Sequence, residues 1–313
     1  MFENWKIVVL GAGTMGHSIA QVFATNGFQT TVIDQSAEQL ELARKMITNN
    51  LVALKQLGEV TQLEVDRAQT LITYETNLEM AAPQANLVVE SIVENAVIKR
   101  ELYASLDKLC APDCILTSNT SALNIFDIAE VSHPERLVIA HWFNPPHIMP
   151  LVEVVMGPKT STQTVDKVKA LLIQLGKTPA IIKQYVPGFI INRISVAIAR
   201  EAGYMVGQGW TTAEDIDAAI VATFGPRFTF EGPLELYDHV GWDVVQAVTG
   251  FLYPQLCSST EGGNPIANEL VSKGYLGVKS GRGIKDYSKL DLAEVQNQRN
   301  IKIIKMLKAI REL

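Results

Sequence analysis

The apolar positions of this chain follow two different rhythms. Up to about residue 185, short apolar runs alternate with longer amphipathic stretches; beyond it only the helical spacing persists. Residues 6–10, KIVVL, read as a strand buried on both faces. A glycine-rich turn follows, then a helical pattern through Ile19, Ala20, Val22 and Phe23 that Gly27 stops. Residues 29–34, QTTVID, form the next strand and complete a β-α-β unit. Ser36 opens an amphipathic helix over 36–57, with acids in its first turn and Gly58 at its end, and a second helix runs from about Thr61 to Leu71. Strands follow at 87–93 and 114–119, with a helix between them, then at 136–143 and 150–157. A helix over Thr162–Leu175 and a strand at 179–183 close the series. Such alternation predicts a mainly parallel, doubly wound sheet.

After Pro187 strands are hard to find. Helices are expected over 189–209, from 211 (Thr212 and Asp215 form a capping pair), and over 233–252, 264–272 and 292–311. The expected division is an α/β domain of residues 1–185 and an all-α domain of residues 186–313. No internal repeat or low-complexity tract is visible.

Composition narrows the function. The 313 residues are 47% hydrophobic and 19% charged, with a net charge of −6. That balance carries no electrostatic footprint for a nucleic-acid backbone. Lys302, Lys305, Lys308 and Arg311 give the last helix a basic face, which reads as a solvated surface rather than a membrane contact. The apolar runs are shorter than the ~20 residues of a membrane span. The N-terminus leads directly into a strand, without the pattern of a secretory signal. Cys110, Cys114 and Cys257 have no neighbouring ligands for a metal and read as reduced thiols of a cytoplasmic protein.

The first turn reads Gly11-Ala12-Gly13-Thr14-Met15-Gly16. A lone G-x-G-x-x-G is weak, but this one follows an apolar strand, opens a helix and precedes an acidic residue at the end of the next strand. Gly11 allows the tight turn, Gly13 lets the backbone approach a pyrophosphate, and Gly16 lets the helix pack close to the strand. The helix N-terminus offers free N–H groups to the phosphates. Asp34 is expected to hold the ribose 2′-hydroxyl and to repel a 2′-phosphate, so NAD is favoured over NADP.

Three further segments fall near the carboxyl ends of strands, where a doubly wound sheet binds its ligands: residues 118–125, 141–154 and 186–193. His141 ends one apolar strand and Glu153 lies on the next. A carboxylate beside an imidazole fixes its tautomer and stabilises the imidazolium that forms on proton uptake. His141 alone reads equally as a strand-end structural residue, Ser121 alone as a turn residue, and Asn192 alone as a satisfier of backbone early in a helix. Together the four point to chemistry.

With these segments the chain resembles the L-3-hydroxyacyl-CoA dehydrogenase family. The resemblance runs through the glycine loop, VVESIVEN (88–95), SNTS (118–121), HWFNPP (141–146), PLVEVV (150–155), PGFIINR (187–193), GPLELYDHVG (232–241) and GYLGVKSGRGIKDY (274–287). It implies a Rossmann domain followed by a helical domain like the C-terminal domain of 6-phosphogluconate dehydrogenase. It implies His141 as general base, Glu153 as its partner, Ser121 on the reacting oxygen, Asn192 positioning substrate and Asn144 supporting the site. Glu94 and Asn95, with Ser121 and Asn144, fall at positions near the nicotinamide end of NAD, and Thr14 and Met15 in the phosphate loop. It also implies a homodimer through the helical domain. An imidazole of ordinary pKa, ~6.5, both takes and gives a proton near neutral pH.

Residues 224–233, FGPRFTFEGP, depart from the shorter apolar stretch of many CoA-thioester members. They look more like relatives acting on free acids, the lambda-crystallin/L-gulonate 3-dehydrogenase group and a pyridine-carboxylate dehydrogenase; HWFNPPHIMP (141–150) leans the same way. Arg227 would then grip a substrate carboxylate as a bidentate fork, unless it is a surface or dimer-interface residue. On the CoA side, Lys55 is the candidate for CoA phosphates. The leading expectation is oxidation of a short L-3-hydroxyacyl-CoA. The second is oxidation of a free hydroxy acid or carboxylated alcohol. The third is a catalytically silent NAD-binding structural protein, against which the intact set of Ser121, His141, Glu153 and Asn192 argues.

Overall fold

The computed structural model describes residues 2–260 and 263–313. Its contacts divide the chain into two compact units, Met1–Ile191 and Asn192–Leu313.

The first unit begins with β1 (Lys6–Leu10), α1 (Gly16–Thr25), β2 (Gln29–Ile33), α2 (Ala37–Gln56), α3 (Gln62–Leu71) and β3 (Ile72–Glu75). It continues through α4 (Leu78–Ala81), β4 (Leu87–Glu90), α5 (Ala96–Leu109), β5 (Ile115–Ser118) and α6 (Ile125–Ile128). It closes with β6 (Leu137–Trp142), β7 (Leu151–Val155), α7 (Thr162–Gln174) and β8 (Thr178–Ile182). The strands form one eight-stranded sheet in the order β3-β2-β1-β4-β5-β6-β7-β8. Side chains alternate across it, as strand geometry requires. Ile7 and Val9 face a core shared with Ile19 and Phe23 of α1, Leu51 of α2 and Leu171 of α7. Val8 and Leu10 face a second core shared with Tyr103 and Leu106 of α5, Leu116 and Ile125. This is the doubly wound Rossmann arrangement.

The helix starts are set by side chains that accept otherwise orphaned N–H groups. Ser36 accepts from Gln39, Ser161 from Thr164, and Thr61 with Glu64 forms a reciprocal capping box. Two departures from the expected pattern matter. The edge strand β3 follows α3 without a break, so no turn residue announces it. And β6 and β7 run antiparallel, with His141 directly opposite Glu153. Residues 143–150 between them are too few for the helical crossover that parallel neighbours need.

The second unit is helical: α8 (Ile191–Gly207), α9 (Ala213–Arg227), α10 (Glu235–Val240), α11 (Trp242–Leu252), α12 (Pro265–Ser272) and α13 (Leu292–Ile310). The helix expected over 233–252 is two helices, because Gly241 adopts φ 95° between α10 and α11. Asn264 caps α12 and donates to the Ala199 carbonyl of α8 at 2.9 Å, against Gly203, where a Cβ would fall 2.9 Å from its Oδ1. Among the described residues of this unit only Val245 and Ile304 are buried hydrophobic side chains.

Candidate functional site

The glycine loop is shaped by what surrounds each glycine. Gly11 has φ 91°, and a Cβ there would fall 2.5 Å from the Ser91 carbonyl oxygen beyond β4. At Gly16 a Cβ would lie 1.8 Å from the Gly11 oxygen, so α1 could not begin where it does. A Cβ on Gly13 would meet nothing within 4 Å. That free space opens on a cleft of about 880 Å³, lined by Gly11, Gly13, Thr14, Met15, Asp34, Glu94 and Ser121 among others. Asp34 Oδ2 accepts the Ala12 N–H at 2.9 Å and Oδ1 the Ser36 N–H at 3.0 Å. The carboxylate is thereby fixed at the end of β2 with acceptor capacity left for a ribose diol. Bare backbone at Gly13, a helix N-terminus and a fixed carboxylate suit a dinucleotide with an unphosphorylated adenosine ribose.

The dyad is a cross-strand pair. His141 Nδ1 lies 2.8 Å from Glu153 Oε2, with Glu153 fully buried and His141 nearly so. The other carboxylate oxygen, Oε1, accepts the N–H groups of Ile190 and Ile191, each at 2.9 Å, where α8 begins. Burial pushes the Glu153 carboxyl up, but the bonds from His141, Ile191 and Ile190 outweigh it and hold the group below the ordinary range. An ionised Glu153 accepts only, so Nδ1 carries the proton and Nε2 is left as the basic nitrogen. Phe143 and Phe189 flank the imidazole, with ring centroids 4.7 and 5.4 Å away.

Ser121 sits on the loop after β5, and a charge network anchored on the buried Lys99 and Glu90 holds that loop through Glu94. Glu94 Oε1 accepts the Thr120 hydroxyl at 2.5 Å and the N–H groups of Ser121 and Ala122 at 3.2 Å and Leu123 at 3.4 Å. Its Oε2 lies 3.1 Å from Lys99 Nζ, which also bonds Glu90 Oε1 at 2.6 Å. Glu90 in turn accepts Ser118 Oγ at 2.6 Å. Burial pushes Glu94 up, and the Thr120 hydroxyl and Lys99 more than reverse it, so its carboxyl titrates below the usual value. Asn119, which lines the cleft, accepts the Trp142 N–H at 2.8 Å and ties the strand end carrying His141 to the cleft wall.

The remaining expected residues are scattered. Asn95 caps α5 by accepting from Val97 and Ile98 and is not among the cleft-lining residues. Asn144 is exposed on the loop between β6 and β7, before a cis bond to Pro145. Asn192 lies in the first turn of α8, directly after the Ile191 N–H that holds Glu153. Arg227 is the exposed last residue of α9. Lys55 is exposed near the end of α2 and donates to Gln62 across the α2–α3 turn. Among the described residues no group of three or more His, Cys, Asp or Glu is placed to hold a metal ion, and no helix is long and apolar enough to cross a membrane.

Several residues of the site escaped the sequence reading. Lys99 reads as an ordinary surface lysine yet is 1% exposed. The loop between β6 and β7 is locked from two sides. Lys177 Nζ donates to the carbonyls of Pro146 at 2.6 Å and Met149 at 2.9 Å, and Ser18 of α1 bonds His147 Nδ1 at 2.7 Å and accepts its N–H at 3.0 Å. The sequence signals were available only in part: three prolines, Pro145, Pro146 and Pro150, mark the loop, but nothing local pairs it with a residue 129 positions away.

Two family models together match most of this chain. The model of the 3-hydroxyacyl-CoA dehydrogenase NAD-binding domain matches residues 6–185, and that of the 3-hydroxyacyl-CoA dehydrogenase C-terminal domain matches residues 188–287. A 5-formyl-3-hydroxy-2-methylpyridine 4-carboxylate 5-dehydrogenase of Mesorhizobium japonicum is 34% identical over 300 residues, 96% of this chain and 96% of that protein. A probable 3-hydroxybutyryl-CoA dehydrogenase of Bacillus subtilis is 37% identical over 286 residues, covering 91% of this chain and 98% of the other. A crystal structure of a 5-formyl-3-hydroxy-2-methylpyridine 4-carboxylic acid 5-dehydrogenase, described as an NAD⁺-dependent dismutase, has a TM-score of 0.90 at 32% identity, covering 98% of this chain and 99% of that one.

Proposed function

The chain belongs to the 3-hydroxyacyl-CoA dehydrogenase family and is an NAD-dependent dehydrogenase acting on a CH–OH group; on that premise we propose that His141 and Glu153 form its general acid/base pair and that its substrate is a short L-3-hydroxyacyl-CoA. The observation that supports the acid/base pair is the buried Glu153 carboxylate, shared between His141 Nδ1 and two backbone N–H groups, and the CoA substrate is supported by the 3-hydroxybutyryl-CoA dehydrogenases among the relatives. In oxidation, His141 Nε2 takes the hydroxyl proton of the substrate, and Glu153 stabilises the imidazolium so formed. The carbon bearing that hydroxyl loses a hydride, for which bound NAD supplies the acceptor. Ser121 bonds the reacting oxygen, and Asn192 and Asn144 position substrate and nicotinamide. Reduction runs the same steps backwards, with imidazolium as the acid.

A second reading has an observation of its own. The family model ends at residue 287, so a 300-residue match to the pyridine-carboxylate enzyme takes in part of the segment carrying α13. The Bacillus protein is nearly exhausted by 286 aligned residues. On this reading the substrate is a free carboxylated alcohol, and Arg227 grips its carboxylate.

NADH absorbance followed with acetoacetyl-CoA, free acetoacetate, L-gulonate and a hydroxymethylpyridine carboxylate separates the two. Turnover of acetoacetyl-CoA alone supports the first reading; turnover of free acids alone replaces it with the second. On the second reading Arg227→Lys raises KM for the free acid by roughly tenfold or more, because an ammonium cannot reproduce the bidentate fork. An unchanged KM removes Arg227 from the site. The second unit, with its large apolar side chains left in the open, is further proposed to pair with a second copy of this chain.

A further inference from the structure

The segment Tyr185–Ile191, the end of the first unit, carries a cluster of contacts that the chemistry above uses only in part. Phe189 N–H donates to the Val186 carbonyl at 3.1 Å, closing a tight turn. Within it Gly188 has φ 79° and Phe189 φ 51°. Glycine enters the left-handed region freely; a bulky aromatic residue there is an outlier that persists only where its surroundings over-determine it. Here they do so. The Phe189 ring is 1% exposed and packs on the His141 imidazole at 5.4 Å and edge-on against Tyr185 at 6.0 Å. The two left-handed residues turn the chain so that the next two N–H groups, Ile190 and Ile191, converge on one oxygen of Glu153. At the other end of the turn, the Tyr185 hydroxyl donates to the Ala122 carbonyl at 2.7 Å, next to Ser121.

We infer that Tyr185–Ile191 is a positioning element for both arms of the catalytic site: Tyr185 fixes the loop that presents Ser121, and the left-handed turn at Phe189 fixes the dyad. Neither side chain takes part in bond making. Each acts through a residue that does, so the inference rests on the roles proposed for Ser121 and His141. One strained turn thus sets the distance between the group that bonds the reacting oxygen and the group that takes its proton. A misplacement of about 1 Å in such an arrangement costs on the order of 10²-fold in rate.

Two double-mutant cycles test it. Tyr185→Phe removes only a hydroxyl; it is expected to lower kcat about tenfold with KM for NAD unchanged, and to lower kcat no further in a Ser121→Ala background. Phe189→Leu keeps an apolar side chain in place of the ring; it is expected to lower kcat by about the same factor, and to add nothing in a His141→Ala background. Losses that multiply in both cycles, or a lowered melting temperature with kcat intact, overturn the inference, because a merely structural turn would give those results. Wild-type kcat in Ser121→Ala or His141→Ala instead overturns the proposed role of that residue, and the other cycle then decides the inference. Should Phe189→Leu fail to fold, the Tyr185 cycle decides it alone.

Discussion

The two units of this chain spend their apolar residues in opposite ways. The first places them on both faces of a sheet, in two cores built from strand residues that alternate inward on either side. The second leaves Trp210, Phe230, Trp242, Phe251 and Tyr253 each more than half exposed, and among its described residues buries only Val245 and Ile304 as hydrophobic side chains. Isolated exposed apolar residues are ordinary; so many large ones on one helical unit are not. The glycine-loop cleft and the His141–Glu153 pair stand on the first unit, where strands fix their geometry. The difference is the one on which the proposed pairing of the second unit with another copy of this chain rests.

The largest expected effect tests the first half of that contrast. His141→Ala should lower kcat by roughly 10²–10⁴-fold, the range of a lost general base. NADH formation under saturating substrate measures it. Activity within a few-fold of wild type would move the proton-transfer step away from the dyad and deprive the antiparallel β6–β7 pair of its role.

A pair of truncations tests the second half. Leu116 is fully buried in the first unit, so Leu116→Ala should cost about 2–5 kcal/mol whatever the protein concentration. Phe251 is 68% exposed in the single chain. Were it a true surface residue, Phe251→Ala would change stability by no more than about 0.5 kcal/mol. If a second copy covers it, the loss should approach a core value, and the melting temperature should depend on protein concentration. Thermal unfolding across a dilution series, with sedimentation at each concentration, distinguishes these. A concentration-independent transition with a silent Phe251→Ala would show the second unit to be complete by itself.

How much of this was legible in the sequence follows the same divide. The first β-α-β unit, the glycine loop and Asp34 were readable because each depends on local rules: strand period, helix capping and the special freedom of Gly11. His141 and Glu153 were readable as a pair by type, but not as opposite residues of an antiparallel ladder, since strands do not announce their direction. The short connection at 143–150 was the available clue. Lys99 was missed although Glu90 and Glu94 lie only nine and five residues before it, because its pairing with both depends on the turn between β4 and α5 rather than on strand or helix period. The role of Tyr185 was missed too, because its partner lies 63 residues away. In the second unit the helices were visible from their spacing, while the break at Gly241 was lost inside one long apolar pattern.

The smallest expected effect is a pH dependence that belongs to the first unit alone. Burial, followed by the charges of His17 and Lys177, pushes His147 down to about 3 from 6.5. His17 is lowered too, chiefly by burial against a partly compensating bond to the Gly13 carbonyl. Burial also lowers Lys177 to about 8 from 10.5. In every case the folded chain binds fewer protons than the unfolded one between the two values, so stability rises with pH across that window. For His147 the stability present above its unfolded value is lost as pH falls through 6.5 towards 3. One such group contributes at most about 1.4 kcal/mol per pH unit. The groups with shifted values in the second unit, Glu269, Lys273 and Asp286, are fully exposed, so the slope between about pH 5 and about pH 7 should come from the first unit. Denaturant unfolding at several pH values reads it as the change in midpoint. His147→Gln should flatten that slope by up to one proton and leave the part due to His17. A slope unchanged by the substitution would show that the loop between β6 and β7 opens enough for His147 to be protonated in the folded protein, and that Ser18 and Lys177 do not lock it.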